Sequence, residues 1–299
     1  MERGRSMESE RKTLRIGYQG VPGAYSEEAL IAYLPSSQPT PVRTLQDTFA
    51  ALSSGEIDRA FVPVENSHAG SVAEVYDLML EHPITVLGEY LHQVHHLLLG
   101  MQGAEAASVE RVYSHPQALA QVDKFLRQAN LAVEPYYDTA GAAQMVAERK
   151  DPRFAAVASR LAGEHYGLVV LAEGIETASD NATRFFLLAP GAWTRERTVV
   201  SDAPGKTSLV FGTEHQPGAL VRALSCFSRE RVNLLRLESR PSRRQQWEYL
   251  FFTDVEGYAD AAHLQRALRE LTRLNPFVRI LGSYPAASGL VHSEQDGAA

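Results

Sequence analysis

Residues 60–74 read AFVPVENSHAGSVAE, and the reading of this stretch decides the fold class. AFVPV (60–64) is an apolar run of strand length, and three polar residues, Glu65, Asn66 and Ser67, follow it at once. Ser71 then opens SVAE, whose Ser-x-x-Glu spacing predicts a capping box and a helix running to about Leu80. Strand, polar turn and capped helix form the repeating unit of α/β folds, and that unit recurs on both sides of the quoted segment.

Upstream, LRIGYQ (14–19) is a short strand followed by a glycine-rich turn and a helix from about Ser26 to Leu34; a second helix around 47–54 ends at Gly55. Downstream, ITVLGEYLHQVHHLLLG (84–100) reads as extended structure, too long for one strand and expected to bend or split at Gly88. RVYS (111–114) leads through SHPQ into a helix whose first turn accepts Pro116 without losing a bond. AVEPYYD leads to a helix from about Thr139, FAAVAS to one from about Ser159, and LVVLAE (168–173) is again a strand. The prediction is an α/β fold with largely parallel sheets.

The order changes after WTRERTVVSDAPGK (193–206), a polar stretch with a Pro–Gly pair that reads as a linker. Strand (207–213), helix (217–230), strand (232–240), strand (247–254), helix (259–273) and strand (277–284) follow. That is βαββαβ, a ferredoxin-like plan. The termini, 1–13 and 286–299, are polar or aperiodic and are predicted to be disordered tails.

The net charge of −7 disfavours a nucleic-acid-binding surface. No apolar run approaches the roughly 20 residues of a membrane span, and residues 1–13 lack the apolar core of a secretory signal. The expectation is a soluble, cytoplasmic protein. A single cysteine, Cys226, excludes an internal disulfide framework and reads as a buried structural thiol within a helix.

Several stretches carry chemistry. GYQGVPGAYS (17–26) has G-x-x-G-x-x-G spacing, which is not the dinucleotide fingerprint, and Pro22 removes a donor that a phosphate cradle would use. It reads as a tight turn beside a site. Glu65, Asn66 and Ser67 lie where α/β folds bind ligands, next to a helix start suited to an anion, although an ordinary polar connection has the same pattern. SHPQAL (114–119) and DTAGAA (138–143) repeat the device, and His115 is either a proton-exchanging group or a helix cap. HQVHH (92–96) lacks the spacing of a metal site, so no metal is expected. In TRFFLL (183–188), Arg184 precedes four large apolar residues and needs a partner, either a surface acid or a substrate. Thr183 and Arg184 reach one cavity only if they lie at the strand's mouth.

Taken in order, GYQGVPGAYS, VPVENSHAGS, VHHLLLG, SHPQALAQ, DTAGAA and NATRFFLL, followed by GAL (218–220) and NLLRLESRP (233–241), resemble the prephenate dehydratase family. The match covers nearly all of 14–285, and GVPGAYS is similar to the plant-type relatives, the arogenate dehydratases.

The resemblance implies a two-lobed catalytic unit (14–200) like that of periplasmic binding proteins, with the site in the cleft. One lobe is expected over about 14–100 plus 183–200 and the other over about 101–182, followed by an ACT regulatory domain at 205–285. It implies Thr183 at the leaving hydroxyl, Arg184 as carboxylate clamp and Phe185 near the ring or holding the motif, with Glu65, Asn66, Ser67 and His115 around them. Ser26, Ser71, Ser114, Gln117, Thr139 and Ala140 are the expected substrate contacts. A phenylalanine site is expected at Gly218, Ala219 and Leu220 and at Asn233, Leu234, Glu238, Ser239, Arg240 and Pro241. Asn233 and Glu238 would meet the amino acid's backbone or ammonium. Prephenate would be converted to phenylpyruvate with no cofactor, in a homodimer or a tetramer joined through ACT domains. Arogenate as substrate, or a non-catalytic amino-acid sensor, are the alternatives.

Overall fold

The computed structural model describes residues 13–178, 180–241 and 249–287. The expected tails fall outside the described residues at 1–12 and 288–299, as does Ser179.

Two mixed sheets carry the first two hundred residues. The first runs Gln38–Val42, Arg15–Gln19, Arg59–Asn66, Ala182–Pro190, Ile84–Gln93, with its first three strands parallel and Ala182–Pro190 antiparallel to both neighbours. The second runs Val169–Ala172, Leu97–Gly100, Phe154–Ala158, Arg111–Ser114, Ala132–Pro135. The chain therefore passes between two lobes at 94–96 and again at 173–181. The two passages are tied together by the Val94 amide, which donates to the Asn181 carbonyl at 2.8 Å.

Three expectations are corrected here. The extended run 84–100 breaks at 94–96 and not at Gly88, and Leu97–Gly100 pairs in the second sheet instead of the first lobe. Gly88 stays inside its strand, beside a β-bulge at Leu87, and is a glycine because a Cβ there would lie 2.5 Å from the Tyr33 hydroxyl. The capping box at Ser71 does not form: the helix is Ala73–Glu81, capped by Val72 without a side-chain bond. Ser71 sits instead in a two-residue strand opposite Glu65. Asp138, His115 and Ser159 do cap the helices that follow them.

The C-terminal unit has the βαββαβ order. Its sheet runs Leu234–Pro241, Tyr249–Glu256, Gly205–Gly212, Phe277–Pro285, antiparallel throughout. Helices Ala219–Arg229 and Ala262–Leu274 cover one face, where Cys226 is buried. The other face packs on the first lobe: Val210, Phe252, Leu281 and Tyr284 join Val62, Val86, Phe186 and Leu188 in one core. Burying each such side chain is worth about 1.5–3 kcal/mol, so the unit is docked and not tethered. Phe277–Pro285 even touches Ile84–Gln93 at Gly282 and Val86, joining the two sheets into one. No helix among the described residues is long and apolar enough to cross a membrane.

Candidate active site

Residues directly opposite on neighbouring strands share a face of the sheet. Across Ala182–Pro190 and Arg59–Asn66 the pairs are Thr183 with Asn66, Arg184 with Glu65, and then Phe185 with Pro63. Val64 is the extra residue, so a β-bulge lies just before Glu65. A bulge reverses the alternation beyond it. Asn66 is thereby turned to the face of Thr183, and Glu65 to the face of Arg184.

On the Thr183 face, the Asn66 amide donates to Thr183 Oγ1 at 3.0 Å, to Asn181 Oδ1 at 2.8 Å and to the Ala182 carbonyl at 3.2 Å. The orientation of this amide is fixed, because its oxygen accepts from the backbone N–H groups of His68 and Ala69. Thr183 Oγ1 accepts from Asn66, which leaves the hydroxyl proton to be donated elsewhere. The relay continues across the lobes: Asn181 Nδ2 donates to Gln121 Oε1 at 3.0 Å, and His96 Nε2 donates to the same oxygen at 2.6 Å. His96 Nδ1 lies 2.7 Å from the Tyr25 hydroxyl, which also reaches the His95 carbonyl at 3.1 Å. Burial lowers the imidazole pKa and so favours the neutral ring, against the raising effects of the Gln121 bond and Glu176.

On the other face, Arg184 is 8% exposed and committed to the protein. Its Nε donates to Glu89 at 2.7 Å and its Nη1 to Asp254 of the C-terminal unit at 2.6 Å, while the guanidinium lies over the Phe186 ring at 4.7 Å. Lys206 also pairs with Glu89, and Ser208 donates to Asp254. Burial pushes the Asp254 carboxyl up, but Arg184 and the Ser208 bond hold it below the usual carboxylate range. The expected carboxylate clamp is therefore corrected. Thr183 and Arg184 are the second and third residues of Ala182–Pro190, but the pleat is already established there, so the guanidinium points away from the cleft. Glu65 follows Arg184, lying 3.3 Å from Arg236 Nε and 3.9 Å from Arg184 Nη1. It lies on the domain side of the sheet and not beside Thr183.

Phe185 is buried and stacks on Phe61 at 4.7 Å, so it holds the motif in place. Among the other expected contacts, Gln117 lines a cavity of about 370 Å³ with His68, Gln121, Glu176 and Asn181. Ser26 and Thr139 line a second, of about 770 Å³, with Tyr25, Arg43 and Asp138. Both cavities lie between the lobes. Ser114 does not contribute: it is fully buried, and its hydroxyl donates to the Val157 carbonyl at 2.6 Å. Ala140 is packed in the core of the second lobe. Ser67 donates to the Asp180 carbonyl, Ser71 donates to Glu238, and the His115 ring accepts the Gln117 amide proton as a helix cap. In HQVHH, His92 pairs with Glu28 at 3.2 Å and His95 is exposed, and no cluster of three metal-ligating side chains occurs among the described residues.

In the C-terminal unit, Gly218, Ala219 and Leu220 line a cavity of about 230 Å³ with Gln216, Tyr249 and Phe251. Ser239 and Pro241 lie opposite Phe251 and Tyr249 on that face, and Leu234 opposite Val255. Glu238 and Arg240 are corrected to the other face, where Arg240 holds Asp77 and Glu238 meets Ser71 and Arg236. The Asn233 carbonyl accepts the Glu256 amide proton. Asn181, Gln121, His96, Glu89 and Asp254 were missed in the sequence. For Glu89 and Asp254 a signal existed: each is an acid inside an apolar strand, as Arg184 is a base inside one.

A two-lobed α/β cleft with a polar relay across its hinge is thus backed by a docked ferredoxin-like domain. Residues 16–192 match the family model for prephenate dehydratase and residues 207–273 that for the ACT domain. The chain belongs to the prephenate dehydratase family. It is 39% identical to arogenate dehydratase 2 of Petunia hybrida over 95% of this chain and 75% of that one. A solved structure described as GqqA, a novel type of quorum quenching acylases, superposes with TM-score 0.84 at 38% identity, covering 91% of this chain and 98% of the other. The Arthrobacter aurescens prephenate dehydratase in complex with L-Phe gives 0.83 at 30% identity, with 91% and 90% covered.

Proposed function

We propose that the protein is a lyase that dehydrates and decarboxylates prephenate to phenylpyruvate, with arogenate as the second candidate substrate. The reading is carried by the Asn66–Thr183 hydrogen bond at the interlobe cleft of a chain in this family. The dianion loses its ring carboxylate as carbon dioxide and its ring hydroxyl as hydroxide, which takes up a proton to become water. The residues on the cleft face must hold the acid and stabilise the departing oxygen. Thr183, polarised by an amide that cannot rotate away, donates its hydrogen bond to that oxygen. Arg43, lining the larger cavity with Ser26 and Thr139, supplies positive charge for a carboxylate.

Similarity to arogenate dehydratase 2 favours the second substrate, which carries an ammonium in place of the keto group. L-Phenylalanine is the proposed effector, seated at Gly218–Leu220, in line with the Arthrobacter relative's complex. Val221 and Tyr249 line that cavity and are exposed, as are Leu235 and Leu237 of the strand Leu234–Pro241, which suits an ACT-to-ACT homodimer.

The GqqA likeness raises an acylase reading, and His68 does pair with Asp180 at 2.9 Å. Ser67, however, donates to the backbone carbonyl of Asp180 and not to His68, so this serine is not activated as a nucleophile. The deciding assay offers purified protein prephenate, arogenate and an acyl-homoserine lactone, each with and without phenylalanine. Dehydration of one of the first two, lost by about 100-fold or more in Thr183→Ala with binding retained, is the expected result. Near-normal turnover in that variant rejects the role of Thr183.

A further inference from the structure

Each partner of the Asn66–Thr183 bond is one residue away from an ion pair with the ACT domain. Glu65 meets Arg236 Nε at 3.3 Å, and Arg184 Nη1 meets Asp254 at 2.6 Å. The far end of the 65–71 loop is held too: Arg236 Nη2 donates to Ser71 Oγ at 2.7 Å, and Ser71 in turn donates to Glu238. In the next helix, both carboxylate oxygens of Asp77 accept from Arg240 Nη2, at 3.1 and 3.2 Å.

Arg236, Glu238 and Arg240 are alternate residues of the single strand Leu234–Pro241, so they share its face toward the first lobe. Leu237, Ser239 and Pro241 point the other way, beside the cavity at Gly218–Leu220. Among the described residues the strand pairs on one side only, at the edge of the ACT sheet. One edge strand thus has the catalytic loop against one face, while its other face carries Ser239 and Pro241 opposite Phe251 and Tyr249, which line the candidate effector site.

We infer that this strand positions the catalytic pair: it holds Glu65, Ser71 and Asp77 so that an amino acid seated in the adjoining cavity, against Tyr249 and Phe251, displaces Asn66 relative to Thr183. This rests on the reading of the ACT cavity as an effector site. The residues involved are positioning residues, since none faces the cleft. Slack is small, because a misplacement of about 1 Å in such a site costs on the order of 100-fold in rate.

The test uses the full chain with Asp77→Asn, which removes the charge facing Arg240 yet lies outside both cavities and the relay, and with Asp77→Glu, which keeps the charge. Phenylalanine binding is read by calorimetry, and turnover is read with and without phenylalanine. Asp77→Asn should bind phenylalanine like the wild type and turn over without it within about three-fold of wild type. The effect of phenylalanine on turnover should shrink by about five-fold or more, and Asp77→Glu should restore most of it. A full response in Asp77→Asn overturns the inference. Hydrogen exchange at the 66–71 amides decides the point independently: faster exchange in Asp77→Asn, with the strand Phe154–Ala158 unaltered, supports it, and unchanged exchange overturns it. A wild type that neither binds nor answers phenylalanine rejects the effector reading alone, and the exchange comparison still decides whether the strand holds the loop.

Discussion

Thr183 and Arg184 are neighbours in the chain, yet they serve opposite sides of one sheet. The Thr183 side is a relay of neutral groups, in which threonine, asparagine, glutamine and an uncharged histidine pass hydrogen bonds across a hinge. The Arg184 side is a dry ionic cluster joining two domains. Neutral bonds to a half-open cleft exchange readily with a substrate. Buried charges do not, because removing one partner leaves the other without solvent or counter-charge. Chemistry and cohesion are thus separated by a single pleat.

Asn66→Ala attacks the cleft side of that separation most directly. It removes the amide that holds Thr183 Oγ1, and turnover should fall about as far as in Thr183→Ala, about 100-fold or more. Near-normal turnover in a folded Asn66→Ala would show that the amide does not set Thr183. Asp254→Asn should next lower the unfolding free energy by about 3–5 kcal/mol, whereas Thr183→Ala should leave it nearly unchanged. Equal losses in denaturant titrations of the two variants would erase the distinction between the faces.

Gly282→Ala should cost about 1–3 kcal/mol, because its Cβ would lie 2.2 Å from the Val86 carbonyl oxygen at the junction of the sheets. A melting temperature equal to wild type would mean that the junction yields freely.

Acid should separate the two faces by a smaller margin. The His96 pKa is lowered from 6.5 in the folded protein, so its contribution is present above 6.5 and is lost as pH falls through the folded value. Asp254 is lowered from 3.8, so its contribution survives until pH falls below the ordinary carboxylate range. The cleft, where Tyr25, Gln121, Glu176 and His95 surround His96, should loosen first. His96→Gln should flatten the stability profile between about pH 7 and 5 and leave the acid limb due to Asp254 in place. An unaltered profile would deny His96 that part.

The alternation of strand and helix was legible because apolar runs and caps are local signals. The hinge was not. Gly88 looked like the break, but the sequence does not display Tyr33 filling the space above it, nor Asn181 tying down Val94. Thr183 and Asn66 were legible as polar groups at strand ends, whereas their facing depended on one unpaired residue, Val64, that no periodicity marks. Arg184 reads from the residues alone as needing a surface acid or a substrate; the acid alternative holds, though buried and not at the surface, and the clamp that the resemblance implies does not. Its partners were Glu89 and Asp254, two acids equally out of place in the apolar strands ITVLGEYL and LFFTDVE. Ion pairs across a fold connect residues far apart in sequence, and only their shared oddity gives them away.

The bridge between Gly282 and Val86 also decides whether the chain can be divided. Cutting after residue 200 would bare one side of the strand Ile84–Gln93 as an open edge, together with the apolar face carrying Phe186, Leu188 and Val86. Open edges beside greasy surface are templates for aggregation. The first lobe therefore needs the C-terminal sheet as cover, whether or not an effector is bound.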